Sequence, residues 1–124
     1  MDVDWRLLCK ATGLTVDGDH VAIALDDGRR HRVAVSEKSD AYRLTAIVAG
    51  RAVLSQVADA PIRIWLRNRE TQLVGFSIDR RGRLKAEAWV PKAGLSAEEL
   101  RLYLRTVAAE ADRFKFALTG EDAE

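Results

Sequence analysis

The chain has 124 residues, 48% of them apolar and 31% charged, which describes one globular domain that needs neither a metal nor a disulfide to fold. Its 20 basic and 19 acidic residues nearly cancel, giving a formal net charge of +1. This balance argues against a protein dedicated to binding nucleic acid or membrane surfaces.

Cys9 is the only cysteine, which excludes an intramolecular disulfide and makes a cytoplasmic location the expectation. The opening sequence, MDVDWRLLCK, carries two acids and lacks a basic region before a long apolar run, so no signal peptide is predicted. No window approaches 18 consecutive apolar residues, and a membrane-spanning helix is therefore not predicted either.

The N-terminal part of the chain predicts a short helix followed by three strands. Asp4 can cap a helix that starts at Trp5 and that Gly13 ends. Three runs then alternate apolar with polar residues, as half-buried strands do: HVAIALDD, RHRVAVS and AYRLTAIVAG. The pair Asp27-Gly28 favours a tight turn between the first two runs, and we expect the three strands to form an antiparallel meander.

Residues 61–70, PIRIWLRNRE, fit two structures. Ile62, Ile64 and Leu66 alternate as in a strand, whereas Ile62, Trp65, Leu66 and Arg69 would share one face of a helix. The proline at the start is permitted in the first turn of a helix and also at the first residue of a strand. Local rules leave both structures open, and helix is our preference.

The C-terminal part predicts a second hairpin and a long helix. TQLVGFSI and RLKAEAWVP flank the turn sequence DRRG. The segment LSAEEL then forms a capping box between Ser96 and Glu99, and the helix should run from Ala97 to about Thr119. Its apolar stripe is spaced 4, 3, 4, 3, 4, and we expect it to dock on the sheet: Leu100, Leu104, Val107, Ala111, Phe114 and Leu118.

The resulting order is α-β-β-β-α-β-β-α. Because hairpins link the strands, the sheet should be mostly antiparallel, with the helices on one side and the long C-terminal helix packed on the sheet. The predicted fold class is thus an α+β two-layer sandwich. We expect residues 1–120 to form a single domain and residues 121–124 to form a disordered tail.

This order and three local motifs resemble the type III secretion chaperone-like fold, and in particular the YbjN-type family of bacterial sensory-transduction regulators. The motifs are IWLRN at the end of the middle helix, VGFSIDRRGRL in the second hairpin, and LSAEELRLYLRTVAAEAD in the last helix. The resemblance covers roughly residues 20–120. It implies a homodimer that binds other polypeptides and catalyses no reaction, and it supports helix for residues 61–70.

The sequence offers candidate residues for both kinds of contact. We expect Trp65, Phe76 and Trp89 to contribute to a dimer surface, because they are large apolar residues left over once the long helix has docked. Residues 61–85 hold six arginines and one lysine against two acids. This local surplus predicts that an acidic polypeptide binds at Arg67, Arg69, Arg80 and Arg81. The alternatives are a basic face balanced by the acids of the last helix, or a regulator that binds nucleic acid through the same arginines.

Patterns typical of catalysis or cofactor binding do not occur. His20 and His31 flank the first hairpin without an accompanying cluster of cysteines or acids at ligand spacing, so no metal site is predicted. Cys9 lies on the apolar side of the first helix, where a buried, inert thiol is expected. The glycines match neither the dinucleotide-binding nor the P-loop pattern, so we predict no cofactor and no enzymatic activity.

Overall fold

The computed structural model describes residues 4–26 and 28–120 of the chain. The predicted tail, residues 121–124, lies outside these residues, as does Asp27 of the predicted tight turn. The elements in chain order are α1 (Trp5–Leu8), β1 (Leu14–Asp17), β2 (His20–Ala24), β3 (Arg30–Glu37), β4 (Ala41–Ala49), α2 (Arg51–Leu54), α3 (Ala60–Glu70), β5 (Gly75–Ile78), β6 (Leu84–Pro91) and α4 (Ala97–Thr119).

The strands form one six-stranded sheet in the order β1-β2-β3-β4-β6-β5, and every neighbouring pair is antiparallel. The predicted fold class is confirmed. The predicted order lacked one strand, β1, which pairs with β2 across the two-residue turn at Gly18 and Asp19. This strand has only four residues, and two of them, Leu14 and Val16, are apolar, so its alternation is too short to stand out between two glycines.

Residues 61–70 are helical, as preferred from the sequence. Helix α3 starts after Asp59, whose φ of 57° is left-handed, and Pro61 occupies its first turn. Ala60 and Ile64 are buried four residues apart, which is helical rather than strand spacing. The short helix α2 before it was not predicted; it begins after Gly50 and buries only Leu54.

The long helix α4 has the predicted boundaries and cap. The Glu99 amide donates to the Ser96 hydroxyl at 3.1 Å, and the Glu99 carboxylate accepts from the Ser96 amide at 3.3 Å. Gly120 ends the helix with a left-handed φ of 67°. The whole predicted stripe is buried, together with Ala108, and packs against β3, β4 and β6. Docking of this helix on its own sheet is therefore confirmed.

Two further helices flank α4 on the same side of the sheet. The Arg101 guanidinium of α4 donates to the carbonyls of Leu8 and Lys10 and so holds the end of α1. On the other flank, Arg67 of α3 lies 3.7 Å from the Glu110 carboxylate of α4. The buried residues of all three helices join a single cluster with the inward-pointing residues of the strands.

The sheet thus has a helix face and an opposite face, which we call the open face. Strand register places alternate residues on it, with Ala22 opposite Arg32, Ala34 opposite Thr45, and Arg43 opposite Trp89. Most of these side chains are half-buried by their neighbours, while Arg32, Ile47 and Trp89 are exposed. Side chains that contact a partner can therefore come from this face or from the outer surface of the helices.

Candidate functional site

Phe76 belongs to the core, although the sequence suggested a dimer surface. Its side chain is only 4% exposed, and its ring meets the Phe114 ring of α4 edge-on, with the centroids 4.8 Å apart. The register places Phe76 opposite Ala86, which points to the helix face. Phe76 is thus buried within the subunit and is not available to a second copy.

The outer edge of β5 at Phe76 is closed by a side chain of α3. The Asn68 amide nitrogen donates to the Phe76 carbonyl at 3.0 Å, and the Phe76 N–H donates to the Asn68 amide oxygen at 2.7 Å. These are the two bonds that a neighbouring strand would make with this residue. Asn68 therefore satisfies the edge of the sheet at this point and fixes the end of α3 beside β5.

The outer side of α3 carries a second apolar stripe that is about half exposed to solvent. Ile62, Trp65 and Leu66 are 59%, 57% and 46% exposed, at helical spacing. The Arg69 guanidinium lies 4.9 Å from the centre of the Trp65 ring. Trp65 is thus exposed, and its place in a dimer surface remains a prediction.

Trp89 is exposed on the open face, next to the β5 edge. Its indole N–H donates to the Glu87 carboxylate at 3.1 Å, and the Arg43 guanidinium lies 5.8 Å from the ring. Together with Asn68 and Leu73, Trp89 lines a shallow cleft. These contacts hold the indole ring in one place while leaving half of it in solvent.

Leu73 was not predicted, yet it is the most unusual residue of this region. It is 56% exposed and has a φ of 70°, a left-handed conformation that costs a residue with a side chain about 1 kcal/mol or more. The loop is held by the Thr71 hydroxyl, which lies 3.0 Å from the Val74 carbonyl and 3.2 Å from the Arg67 carbonyl. The loop therefore presents an apolar side chain to solvent in a strained backbone.

Leu73, Trp89 and Trp65 lie near Asn68, whereas Ile62 and Leu66 continue this apolar surface along the outer side of α3. Leu73 and Trp89 line a cleft with Asn68, and Trp65 lies one helical turn before Asn68 on α3. We call this group the β5-edge surface: Ile62, Trp65, Leu66, Leu73 and Trp89. Sequence reasoning found the two tryptophans but not the other three residues, because nothing local distinguishes an exposed leucine from a buried one.

The four arginines predicted to bind an acidic partner are not gathered in one place. Arg67 bridges α3 and α4, with its guanidinium near Glu110 and 5.3 Å from the centre of the Phe114 ring. Arg69 lies over Trp65, while Arg80 and Arg81 are exposed in the turn between β5 and β6. The structure thus gives Arg67 an intramolecular role and leaves the other three at two separate positions.

The β5–β6 turn is organised by Asp79. Its carboxylate accepts from the amides of Arg83 and Arg81, each at 2.9 Å, and pairs with the Arg83 side chain at 2.8 Å. The backbone hydrogen bond from Arg83 is the main reason why the pKa of Asp79 lies below its ordinary value. Arg80 and Arg81 are therefore carried by a turn whose structure depends on Asp79 rather than on their own side chains.

Among the described residues, those considered for metal or thiol chemistry do not form a cluster of ligands, although His20 and His31 line the same cleft. His20 and His31 pair with Ala34 and Ile23 and so belong to opposite faces of the sheet. Burial raises the pKa of the Cys9 thiol, which is 1% exposed, and this disfavours the reactive thiolate. Within residues 4–26 and 28–120, no three His, Cys, Asp or Glu side chains cluster as metal ligands. No helix in this part of the chain combines the length and apolar character needed to cross a bilayer.

Residues 13–119 match a family model named YbjN, described as "Putative bacterial sensory transduction regulator". The chain belongs to the YbjN family. The match covers most of the chain and includes every strand of the sheet, α3, and α4. A comparison of this YbjN-family chain with curated proteins gives no match.

Three solved structures share the fold at low sequence identity. The ExsC-ExsE complex is similar with a TM-score of 0.61 and 19% identity over 92% of both chains. The Yersinia pestis type III secretion chaperone SycH, solved with a fragment of YscM2, gives a TM-score of 0.57 and 10% identity over 94% of this chain and 100% of that chain. The HopA1-SchA chaperone-effector complex gives a TM-score of 0.55 and 12% identity over 94% of this chain and 88% of that chain. The predicted type III secretion chaperone-like fold is confirmed.

Proposed function

We propose that this YbjN-family chain is a non-enzymatic, cytoplasmic homodimer that binds a polypeptide partner as a chaperone-like or regulatory adaptor. The observation that carries the proposal is the β5-edge surface, where five large apolar side chains of α3, the loop before β5 and the open face are each about half exposed to solvent. The similarity to three proteins that were each solved in a complex supports the same function. The cytoplasmic location is supported by the buried, unreactive state of the only cysteine.

The β5-edge surface has the composition of an interface core. Covering the exposed parts of its five side chains would contribute on the order of 5 kcal/mol. Association costs at least that much in lost freedom of motion, so the patch must be surrounded by further contacts. A stable dimer buries roughly 800 Å² per copy, and the remaining contacts would come from the polar residues around the patch.

If a twofold axis passes near α3, the β5-edge surface of each copy would contact the same surface of the other copy. In such an interface each residue of one copy meets the corresponding region of the other, so Trp65 would lie close to the axis. The Arg69 guanidinium already covers one face of the Trp65 ring and can stay there in the dimer. Leu73 and Trp89 would then contact the partner at the periphery.

Sedimentation velocity tests the dimer. We expect the native chain to sediment as a dimer and the Trp65→Asp variant as a monomer, because a carboxylate in the centre of the interface would be buried without a partner. Leu102→Asp is the matched control, since Leu102 is equally exposed but lies on α4. A native chain that stays monomeric, or two variants that dissociate equally, would contradict the proposed interface.

The partner-binding role predicted for Arg69, Arg80 and Arg81 remains a prediction, while Arg67 already contacts Glu110. The alternative function, binding of nucleic acid through these arginines, makes a different prediction. Affinity for a duplex or an RNA would fall steeply and linearly with the logarithm of salt concentration. An acidic segment that meets only a few cations should lose affinity less steeply with salt than a duplex or an RNA, and competition between the two ligands at equal salt distinguishes the two functions.

A further inference from the structure

The sheet is interrupted between β3 and β4. The two strands pair from Ala34 and Thr45 to Glu37 and Tyr42, although β3 begins at Arg30 and β4 extends to Ala49. At the unpaired end, Nε2 of His31 lies 3.0 Å from the Ile47 carbonyl oxygen and replaces a backbone contact. A bulge between Ile47 and Ala49 in the pairing of β4 with β6 accompanies this break.

A cleft with a volume of about 530 Å³ occupies this interruption. Arg30 and Arg32 line it from β3, Arg83 lines it from the segment before β6, and Lys115 lines it from α4. Its floor is made of smaller or apolar side chains, including Thr45 and Ile47. The size is within the range that ligand-binding clefts have in proteins.

The cations of this cleft outnumber its anions. None of the lining residues is acidic. Two carboxylates of neighbouring segments already have partners, because Asp79 pairs with Arg83 at 2.8 Å and Asp112 with Arg29 at 2.7 Å. Among the described residues, Arg30, Arg32 and Lys115 form no ion pair. Three like charges around one cleft repel one another, and a bound anion would offset that repulsion.

We propose that this cleft binds carboxylate side chains of an extended acidic segment in the polypeptide partner. This inference rests on the proposed function, which supplies the kind of partner, a polypeptide. It assigns the acid-binding role to Arg30, Arg32 and Lys115. Arginine suits this ligand because its planar guanidinium binds a carboxylate through two parallel hydrogen bonds. The small residues of the floor leave room for the backbone of an extended segment.

Charge and shape disfavour the other occupants. A second copy that docked by this face around a twofold axis would bring Arg30 and Arg32 towards the same arginines of its partner. Single-stranded nucleic acid is held mainly by exposed tryptophan, tyrosine or phenylalanine rings on which its bases stack, and the rings that line the cleft are only the imidazoles of His20 and His31. An acidic polypeptide supplies the charge without needing a stacking surface.

Binding of a fluorescent peptide of alternating glutamate and alanine, followed by anisotropy at low salt, tests the proposal. We expect the native chain to bind it saturably and the double variant Arg30→Glu, Arg32→Glu to lose about tenfold or more in affinity. The double variant Arg80→Glu, Arg81→Glu makes the same change in charge at the β5–β6 turn, where the sequence predicted that the acidic segment binds, and it tests that alternative. If the cleft holds the segment instead, this variant should lose less than about twofold in affinity. The double variant Arg30→Gln, Arg32→Gln removes the two charges without adding repulsion. Its affinity for the peptide is compared with that of the native chain, provided that the two proteins have the same melting temperature.

Several outcomes would contradict the proposal that this cleft binds the acidic segment. Equal losses in the two charge-reversed variants would show a general effect of charge, and a loss confined to Arg80 and Arg81 would assign the acidic segment to the turn. Absence of saturable binding by the native chain would also reject the proposal, as would tighter binding of oligothymidine than of the peptide.

If the glutamine variant fails to bind the peptide but is still isolated as two copies with a polypeptide, the cleft is the acid-binding site. If it keeps the peptide, the cleft is rejected while the proposed function stands.

Discussion

The side-chain amide of Asn68 takes the place of a neighbouring strand for Phe76, accepting from its N–H at 2.7 Å and donating to its carbonyl at 3.0 Å. Asn68→Ala would leave both backbone groups of a buried residue without a protein partner. We expect a loss of about 1–3 kcal/mol in the free energy of unfolding, measured by urea titration.

Asn68→Asp should be nearly as harmful, since a carboxylate can accept from the Phe76 N–H but cannot donate to its carbonyl. Gln72→Ala is the control, because Gln72 is an exposed amide in the adjacent loop. A loss below about 0.5 kcal/mol for Asn68→Ala, equal to that of the control, would show that water replaces the amide at no cost.

Phe114 and Phe116 lie on the same helix in opposite environments, 2% and 47% exposed. Phe114→Ala removes the ring that meets Phe76 and Arg67, and it should cost roughly 3–5 kcal/mol. Phe116→Ala should change the stability by less than about 1 kcal/mol. Denaturant titration of both variants measures the difference, and similar values for the two would contradict the position of α4 on the sheet.

His31 makes the stability of the fold depend on pH. Burial is the main cause that lowers the pKa of its imidazole, with Lys115 acting in the same direction, while the Ile47 carbonyl and Asp112 oppose the shift. The unfolded chain therefore binds a proton more readily than the folded chain once the pH falls below about 6.5. Stability from this residue is complete above that pH and is lost as the pH falls towards the lowered folded value.

Melting temperatures between about pH 8 and pH 5 test this dependence. The His31→Gln variant should lose less stability than the native chain over that range, because glutamine does not titrate. At about pH 8, the difference in melting temperature between the native chain and the variant measures any structural effect of the substitution. Parallel curves for the native chain and the variant would show that His31 keeps its ordinary affinity for protons in the folded state.

The arginines of the β5–β6 turn should matter little for folding. Asp79 accepts from the backbone N–H of Arg81, which persists in every variant, and the side chains of Arg80 and Arg81 are exposed. Arg80→Glu with Arg81→Glu should therefore leave the melting temperature within a few degrees of the native value. A large decrease, measured by circular dichroism, would mean that these side chains have a structural role.

Helix α4 was predictable because everything that defines it is local. The capping box spans four residues, and the 4-3 spacing of its stripe requires only that a helix present one side to a core. Strand β1 was missed for the converse reason, since four residues between two glycines carry too little alternation. The fold class is the same with or without β1, so it could be predicted although this strand was missed.

The site residues were harder to predict because burial depends on distant parts of the chain. Val74, Phe76 and Ile78 are apolar residues two apart, a spacing that predicts one shared side of a strand, yet the first two are buried and Ile78 is 47% exposed. The difference arises from Phe114 and Asn68, which approach only the first part of the strand. The cleft beside Arg30 and Arg32 likewise results from the end of the β3–β4 pairing, which no local pattern indicates.

Native mass spectrometry of the tagged chain, isolated from the cells that make it, tests the proposed homodimer and its polypeptide partner together. We expect an assembly that contains two copies of this chain and a polypeptide, and we expect Trp65→Asp to reduce the number of copies to one. A chain that is recovered as a monomer without a bound polypeptide, or only with nucleic acid, would contradict the proposal.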